Sequence, residues 1–428
     1  MNTSRAIVGI LVGGGPAPGI NSVISAVTIR SILGDCDVLG IMDGFKCLME
    51  GSESRVRPLS IQEVSRIHFQ GGSYLATSRA NPTKKAESLA HTLSSLMRLG
   101  ITRLVTIGGD DTAFSSLKLE EQAAGRIHIV HVPKTIDNDL DLPYGIPTFG
   151  FQTARHVAVE IVKNLMVDAH TTSRWYFVVT MGRKAGHLAL GVGKAAGATL
   201  TIIPEEFLER PVKLQRLVDL VIGTMIKRLS GGRSDGVVVL AEGLIEILDP
   251  QDLGGLEHVE RDEHGHLRLA DVDIGDVLRR EVTKGMKALG LATTIVAKNV
   301  GYELRCADPI PFDMEYTRDL GYCAAQFLLD GGTAAMVSIQ NGRFTPIPFT
   351  RMVDPVSGRA KVRMVDIAAQ SYQIARQYMI RLSDEDLKDP VVLGRCAALA
   401  GLSPEVFQRR FQPVVSNVTD TQLKGNAT

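Results

Sequence analysis

Four short segments of this 428-residue chain gather residues suited to handling phosphoryl groups. In VGGGPAPGIN (12–21), three glycines let the backbone approach a ligand and take positive φ. The helix start expected after them would offer amide N–H groups to an anion. In IGGDDTA (107–113), two glycines precede Asp110 and Asp111. Adjacent carboxylates repel and want a cation, a helix N-terminus or solvent, and Asp110 is of the type that holds Mg2+, an ion that prefers carboxylate and phosphate oxygens. In HVPKTIDNDL (131–140), Lys134 supplies a cation, Thr135 a hydroxyl contact, and Asp137 and Asp139 a general base and a second acid. In TMGRKAGHLAL (180–190), Arg183 is well placed for a phosphate, whereas His187 has no neighbouring ligand type at metal spacing and reads as structural. Glu242 in LAEGL, Tyr302 and Arg305 in GYELRCADP, and Arg79 in GGSYLATSRANP complete the set.

Each segment also has a plain alternative: a tight strand–helix turn, a pair of acids at a helix N-terminus, an Asx-rich turn, an arginine on the surface. The glycine turn does not fit GxGxxG, because Pro18 stands where the third glycine would be, and no GK[ST] follows to make a P-loop. Together the segments describe one kind of site. Glycine turns admit phosphates, arginines and a lysine stabilise charge, and acids serve Mg2+ and proton transfer. Phosphoryl transfer is mainly positioning and charge stabilisation, and it needs this inventory.

The elements that position these residues are legible as apolar runs. AIVGILV (6–12), DVLGIM (37–42), RLVTI (103–107), RIHIVHV (126–132), WYFVVT (175–180), ATLTII (198–203), GVVVLA (236–241), ATTIVA (292–297) and AAMVSI (334–339) suit strands buried on both faces. Helical spacing fills stretches between them, as in 20–33, 83–99, 151–168 and 212–229. Strands alternating with helices predict parallel βαβ units. Nine strands or more divide better into two Rossmann-like, three-layer α/β domains with mainly parallel sheets flanking a cleft. The clusters fall directly after apolar runs, where open α/β sheets bind ligands. After about residue 350 the texture changes: 365–382 has amphipathic helical spacing and short helices follow, predicting a helical C-terminal extension. The last residues, ending TQLKGNAT, are expected to lack order.

Composition narrows the function. Hydrophobic residues make up 44%, as in a globular chain. Lys plus Arg equals Asp plus Glu, 47 each, which argues against a nucleic-acid partner held by a broad basic field. Five cysteines without a CxxC pair suggest reduced thiols. No apolar run reaches the roughly 20 residues of a membrane helix, and the N-terminal run reads as a strand and not a signal peptide. A cytoplasmic protein is expected, with Asn2 and Asn417 as chance sequons.

GGGPAPGIN, GGDD, PKTIDND, MGR, AEG and GYELR occur here in the order seen in the phosphofructokinase family, which the chain resembles over roughly residues 6–350. It is similar to the pyrophosphate-dependent branch, because ATP-using members generally have glycine where Asp111 and Lys134 stand. A glycine at 111 would leave room for a nucleotide α-phosphate. Asp111 fills that room with bulk and negative charge, and Lys134 supplies charge for the transferring group, so the pair is a specificity device with a repulsive and an attractive half.

The resemblance implies reversible transfer from pyrophosphate to the 1-hydroxyl of fructose 6-phosphate. It implies catalytic roles for Asp137 as base, Lys134 and Asp111; sugar-phosphate contacts by Thr135, Ile136, Asp137, Met181, Gly182, Arg183, Glu242, Tyr302, Glu303, Leu304 and Arg305; pyrophosphate contacts by Gly14, Gly15 and Arg79; and Mg2+ on Asp110. It also implies a homodimer or higher oligomer. The expected division is a donor domain (1–150), a sugar-phosphate domain (151–305), a return segment completing the first domain (306–350) and the helical extension (351–428). Rivals are an ATP-dependent phosphofructokinase, a pyrophosphate enzyme acting on sedoheptulose 7-phosphate, a dehydrogenase, which the missing GxGxxG disfavours, and a silent regulatory subunit, which would have lost the base.

Overall fold

A computed structural model describes residues 5–143, 145–254, 272–352 and 361–415. The sequons at Asn2 and Asn417 and the final TQLKGNAT stretch lie outside them. The chain divides into two compact units, Met1–Ala154 with Tyr302–Arg363, and Arg155–Gly301 with Met364–Thr428.

Apolar runs without polar alternation can be buried only between two covering layers, and both units use them as central strands. In the first unit a seven-stranded sheet runs, edge to edge, through Ile347–Pro348, Ala335–Met336, His128–Pro133, Ile101–Gly108, Ile7–Val12, Asp37–Ile41 and Val56–Pro58. Its inner pairs are parallel, while Val56–Pro58 and Ile347–Pro348 close the two edges antiparallel. The run 334–339 yields only the two-residue strand Ala335–Met336, since Ile339–Gln340 turns away to pair with Arg343–Phe344. Leu93 and Leu96 of the helix Ala86–Arg98 and Leu117 of the helix Asp110–Ala123 share a core with Leu11, Leu104 and Ile129 of the sheet. The helix Ile20–Ile32 packs along Pro311–Leu329.

In the second unit four parallel strands run in the order Leu200–Ile202, Gly236–Ala241, Trp175–Thr180, Ile295–Val300. The YELR segment expected to close this domain belongs to the first unit, as the helix Tyr302–Arg305. The residues after 363 are no appendage. Phe407 and Phe411, on the helix Pro404–Val415, are fully buried in the second unit's core beside Leu217, Val221 and Met225. The Phe411 ring edge lies so close to the helix Leu214–Ser230 that a Cβ on Gly223 would meet it at 3.3 Å. Polar ties flank this contact: Arg410 Nη2 donates to Asp219 Oδ1 (2.8 Å) and Lys227 Nζ to Asp386 Oδ2 (2.6 Å). Within 365–382 only Gln370–Tyr378 is helical. Residues 379–382 leave the helix because they are bonded elsewhere: Ile380 N donates to Thr199 O (2.8 Å) and Arg381 Nη2 to Thr201 O (2.6 Å).

All five cysteines are free. Among the described residues no single helix is long and apolar enough to cross a membrane.

Candidate active site

Three parallel strands of the first unit end side by side, and each opens into one of the segments singled out above. Val12 pairs with Ile107, and Gly108 with Pro133. The ladder runs one residue further, with Gly13 N donating to Ile107 O and Lys134 N to Gly108 O, both at 2.8 Å. The glycine turn, the acid pair and KTIDND therefore leave the sheet at one end. From Ile7–Val12 the chain first steps to one side, then crosses over to Ile101–Gly108 on the other. Such a switch point is where open α/β sheets take ligands.

Sterics fix the glycines here. A Cβ on Gly108 would stand 2.3 Å from Thr112 Cβ, and one on Gly13 would stand 2.4 Å from Thr112 Oγ1. Their absence lets the first turn of Asp110–Ala123 draw up against both loops. Gly14 takes φ 81° and is tied to the Arg79 segment, its N–H donating to Ser78 O (2.8 Å) and its carbonyl accepting from Thr77 Oγ1 (2.6 Å). The helix expected to present its amides begins only at Ile20. Its first turn is covered, with buried Asn21 donating to Gln70 O and Gly71 O and accepting from Tyr74 N. The cation at the turn is instead Lys134.

Lys134 is 4% exposed, and its ammonium donates to Gly15 O. Burial pushes its pKa down to about 8; the charge of Arg305 pushes the same way, Asp137 opposes it, and Arg79 and Asp110 add smaller effects of opposite sign. The Arg305 guanidinium lies against the turn, where a Cβ on Gly15 would meet Cζ at 3.4 Å. One buried lysine thus feels Arg305, Asp137, Arg79 and Asp110 together, at a turn made by Gly14 and Gly15. Arg305, expected at the sugar phosphate, is placed on the glycine-turn side. Tyr302 is 78% exposed with Arg305 Cζ over its ring at 5.4 Å, Glu303 is exposed and Leu304 buried.

Beyond Lys134 the chain makes a tight polar turn. Asp137 N donates to Thr135 Oγ1 (3.0 Å), and Asn138 takes the left-handed φ of 57° that Asn tolerates. Thr148 secures both sides, with N donating to Asn138 Oδ1 (3.0 Å) and Oγ1 to Thr135 O (2.7 Å). Ile136 is buried and anchors the turn. The Asp139 carboxyl is pushed up, first by burial and then by the nearby charge of Asp110, while the Thr135 hydroxyl and Arg363 oppose the shift. Two carboxylates from neighbouring loops thus repel one another, an arrangement that a divalent cation relieves. Among the described residues no three His, Cys, Asp or Glu side chains group as a metal cage. One or two carboxylates plus substrate phosphates is the donor set that suits Mg2+, so Asp110 and Asp139 fit it. Asp110 and Asp111 are both exposed in the first helical turn after Gly109, where the helix dipole favours negative charge.

Behind the acids, His131 is fully buried and held neutral, its pKa pushed down to about 3 chiefly by burial. Its Nε2–H donates to Gly108 O (3.0 Å), and its Nδ1 accepts from Thr106 Oγ1 (2.8 Å). This pair braces the strand ends from below.

The second unit builds its own group. Met181, Gly182 and Arg183 follow Trp175–Thr180, and Glu242 N donates to Thr180 O (3.0 Å). A Cβ on Gly243 would stand 2.4 Å from Arg183 O, so only glycine there lets the two strand ends close together. Buried Glu205 accepts from Gly186 N (2.9 Å) and Val365 N (3.0 Å), fixing the far side of the loop. Arg183 is exposed and Glu242 half-buried. His187 is the first residue of the helix His187–Ala196.

One participant carried no sequence signal. Arg363 reaches back across 225 residues to Asn138, from a stretch with neither a glycine turn nor a preceding apolar run.

A family model described as phosphofructokinase matches residues 7–328. The chain is 54% identical over 409 residues to the pyrophosphate–fructose 6-phosphate 1-phosphotransferase of Thermotoga maritima, spanning 94% of this chain and 97% of that one. It is 48% identical over 417 residues to the protein of the same name from Naegleria fowleri, 95% of each chain being covered. A solved structure, the pyrophosphate-dependent phosphofructokinase of Marinobacter aquaeolei, superposes with a TM-score of 0.66 at 17% identity, over 87% of this chain and 90% of that one. That last likeness is one of fold.

Proposed function

The chain belongs to the phosphofructokinase family, and we propose that it reversibly transfers a phosphoryl group from pyrophosphate to the 1-hydroxyl of fructose 6-phosphate. The products are fructose 1,6-bisphosphate and phosphate. The observation that carries this reading is Lys134, buried against the Gly15 carbonyl with Asp111 on the neighbouring helix turn. A cation at the glycine turn suits a donor that ends in phosphate, and the carboxylate at 111 repels an α-phosphate.

In the forward direction the Asp137 carboxylate takes the proton of the sugar hydroxyl. The hydroxyl oxygen bonds to the distal phosphorus, the bond from that phosphorus to the bridging oxygen breaks, and phosphate leaves. Lys134 and the Gly15 amide of the glycine turn stabilise the charge on the transferring and leaving groups, and Arg79 and Arg305 add cations. Asp110, with Asp139 beside it, would hold Mg2+, which when bound neutralises and orients phosphate oxygens. Met181, Gly182, Arg183 and Glu242 bind the sugar phosphate, and Thr135, Ile136, Tyr302, Glu303, Leu304 and Arg305 are the further contacts that family membership suggests. The enzyme works in the cytoplasm as a homodimer or larger oligomer. The exposed aromatic rings of Phe312 and Tyr322 are in keeping with an oligomer.

The test is a donor comparison. Purified protein is given fructose 6-phosphate and Mg2+ with pyrophosphate or ATP in separate reactions, and fructose 1,6-bisphosphate is measured. Turnover with pyrophosphate is expected; turnover with ATP alone would overturn the donor assignment.

A further inference from the structure

The stretch from Lys134 to Phe149 leaves the sheet and returns to it, its two ends joined by a β-bridge. It contains the proposed base, yet it supplies few bonds of its own. Inside it, Asp137 N donates to Thr135 Oγ1 (3.0 Å), Leu142 N to Leu140 O (2.7 Å) and Ile146 N to Pro143 O (3.2 Å), besides the ties of Thr148. Three of its carbonyls, at 138, 142 and 146, accept from one side chain far along the sequence.

Arg363 Nη1 donates to Ile146 O (2.7 Å) and Leu142 O (3.4 Å), while Nε and Nη2 donate to Asn138 O (3.1 and 3.0 Å) and Nη2 to Asn138 Oδ1 (2.5 Å). The backbone is stitched in beside it, with Arg363 N donating to Asp139 O (2.8 Å) and Leu140 bridging antiparallel to Val362. The residue so gripped, Asn138, directly follows Asp137 and holds the left-handed φ of 57° that turns the chain there. A rigid, planar fork with five N–H donors can satisfy carbonyls on both arms of a loop at once, which an ammonium on a flexible stem cannot. The chain passes into the other compact unit straight after Arg363, so this side chain is the last tie of the first unit.

We infer that Arg363 is a positioning residue for the reaction: by clamping Asn138 to Leu142 and Ile146 it sets the direction of the Asp137 carboxylate. The inference rests on the proposed role of Asp137 as base. Arg363 acts on Asp137 through Asn138, and its charge also offsets that of the neighbouring Asp139 carboxylate. Misplacing a catalytic group by about 1 Å can cost on the order of 100-fold in rate, and such a loss belongs mainly in kcat, because most of the groups proposed to bind the substrates lie outside this loop.

The experiment measures kcat and both KM values, with pyrophosphate and fructose 6-phosphate, for full-length wild type, Arg363→Gln, Arg363→Lys, Asp137→Asn and the double variant Arg363→Gln/Asp137→Asn. Arg363→Gln is expected to lower kcat by roughly 10- to 100-fold with both KM values within about threefold. Arg363→Lys should recover only a small part of the loss. In the Asp137→Asn background, Arg363→Gln should cost less than about threefold more, since a residue acting through the base has little left to act on. Should Arg363→Gln melt below the assay temperature, Arg363→Lys is judged by the same numbers. An unchanged kcat, or an equal loss in both backgrounds, would overturn the inference. A near-wild-type rate for Asp137→Asn alone would refute the base assignment, and the inference with it, whatever Arg363→Gln does.

Discussion

Lys134 makes the most distinctive pH prediction. Burial lowers its pKa from 10.5 to about 8, which corresponds to about 3 kcal/mol of penalty on the charged form. At pH 7 roughly nine in ten free enzyme molecules therefore carry the charge, and at pH 9 roughly one in ten. The proposed mechanism needs it, so kcat/KM for pyrophosphate should fall on the alkaline side with an apparent pKa near 8, a value that reports the free enzyme. In kcat the same limb should lie higher, because bound phosphates favour the ammonium. Arginine stays charged throughout this range, so Lys134→Arg should have lower activity but no limb between pH 7 and 10. Lys134→Met should lose about 100-fold or more and also show no limb. Pyrophosphate itself titrates in this region, and Lys134→Arg is the control that separates the two. The sign for stability follows from the same shift. A lysine whose folded pKa is depressed destabilises the fold fully below about pH 8, and the penalty is relieved as pH rises toward 10.5. Relative to Lys134→Met, the wild type should gain stability over that window in urea titrations. A wild-type limb absent below pH 10, or one that survives in Lys134→Arg, would refute the reasoning.

Two other perturbations separate the parts of the structure. Asp111→Gly with Lys134→Gly should cut kcat/KM for pyrophosphate by at least about 100-fold, with at most a small gain with ATP, because removing the repulsive and attractive halves does not build an adenosine pocket; unchanged pyrophosphate kinetics would count against both residues. Phe411→Ala should destabilise the chain by about 3–5 kcal/mol in urea unfolding, since the ring is fully buried against the helix carrying Gly223; a loss below about 1 kcal/mol would mean the C-terminal helices are a detachable cap.

The sheets and the loops that bear the chemistry were legible because each depends on local pattern. A run such as WYFVVT can only be buried on both faces, and the strand Trp175–Thr180 has those bounds. KTIDND and GGDD could be placed at strand ends because polar residues begin where the apolar runs stop. What escaped depends on distant partners. Nothing near Arg363 in sequence shows that its fork closes on carbonyls of 138, 142 and 146. The spacing of 365–382 suits a helix, but Ile380 and Arg381 find backbone partners at Thr199 and Thr201 and the helix stops at Tyr378. The helices of the C-terminal extension were legible, but not what their apolar stripe covers, which only the facing helix Leu214–Ser230 shows. The neighbour of Arg305 was equally hidden: its place against Gly15 is set by the Tyr302–Arg305 helix lying in the first unit.

The proposed chemistry turns on one carboxylate, and the most direct measurement is kcat for Asp137→Ala with pyrophosphate and fructose 6-phosphate, beside calorimetric binding of fructose 6-phosphate to the same protein. Loss of a general base at the reacting hydroxyl should lower kcat by about 100- to 10,000-fold, with sugar-phosphate affinity kept within about tenfold. A kcat within about threefold of wild type, on protein that binds the sugar phosphate normally, would place the base elsewhere.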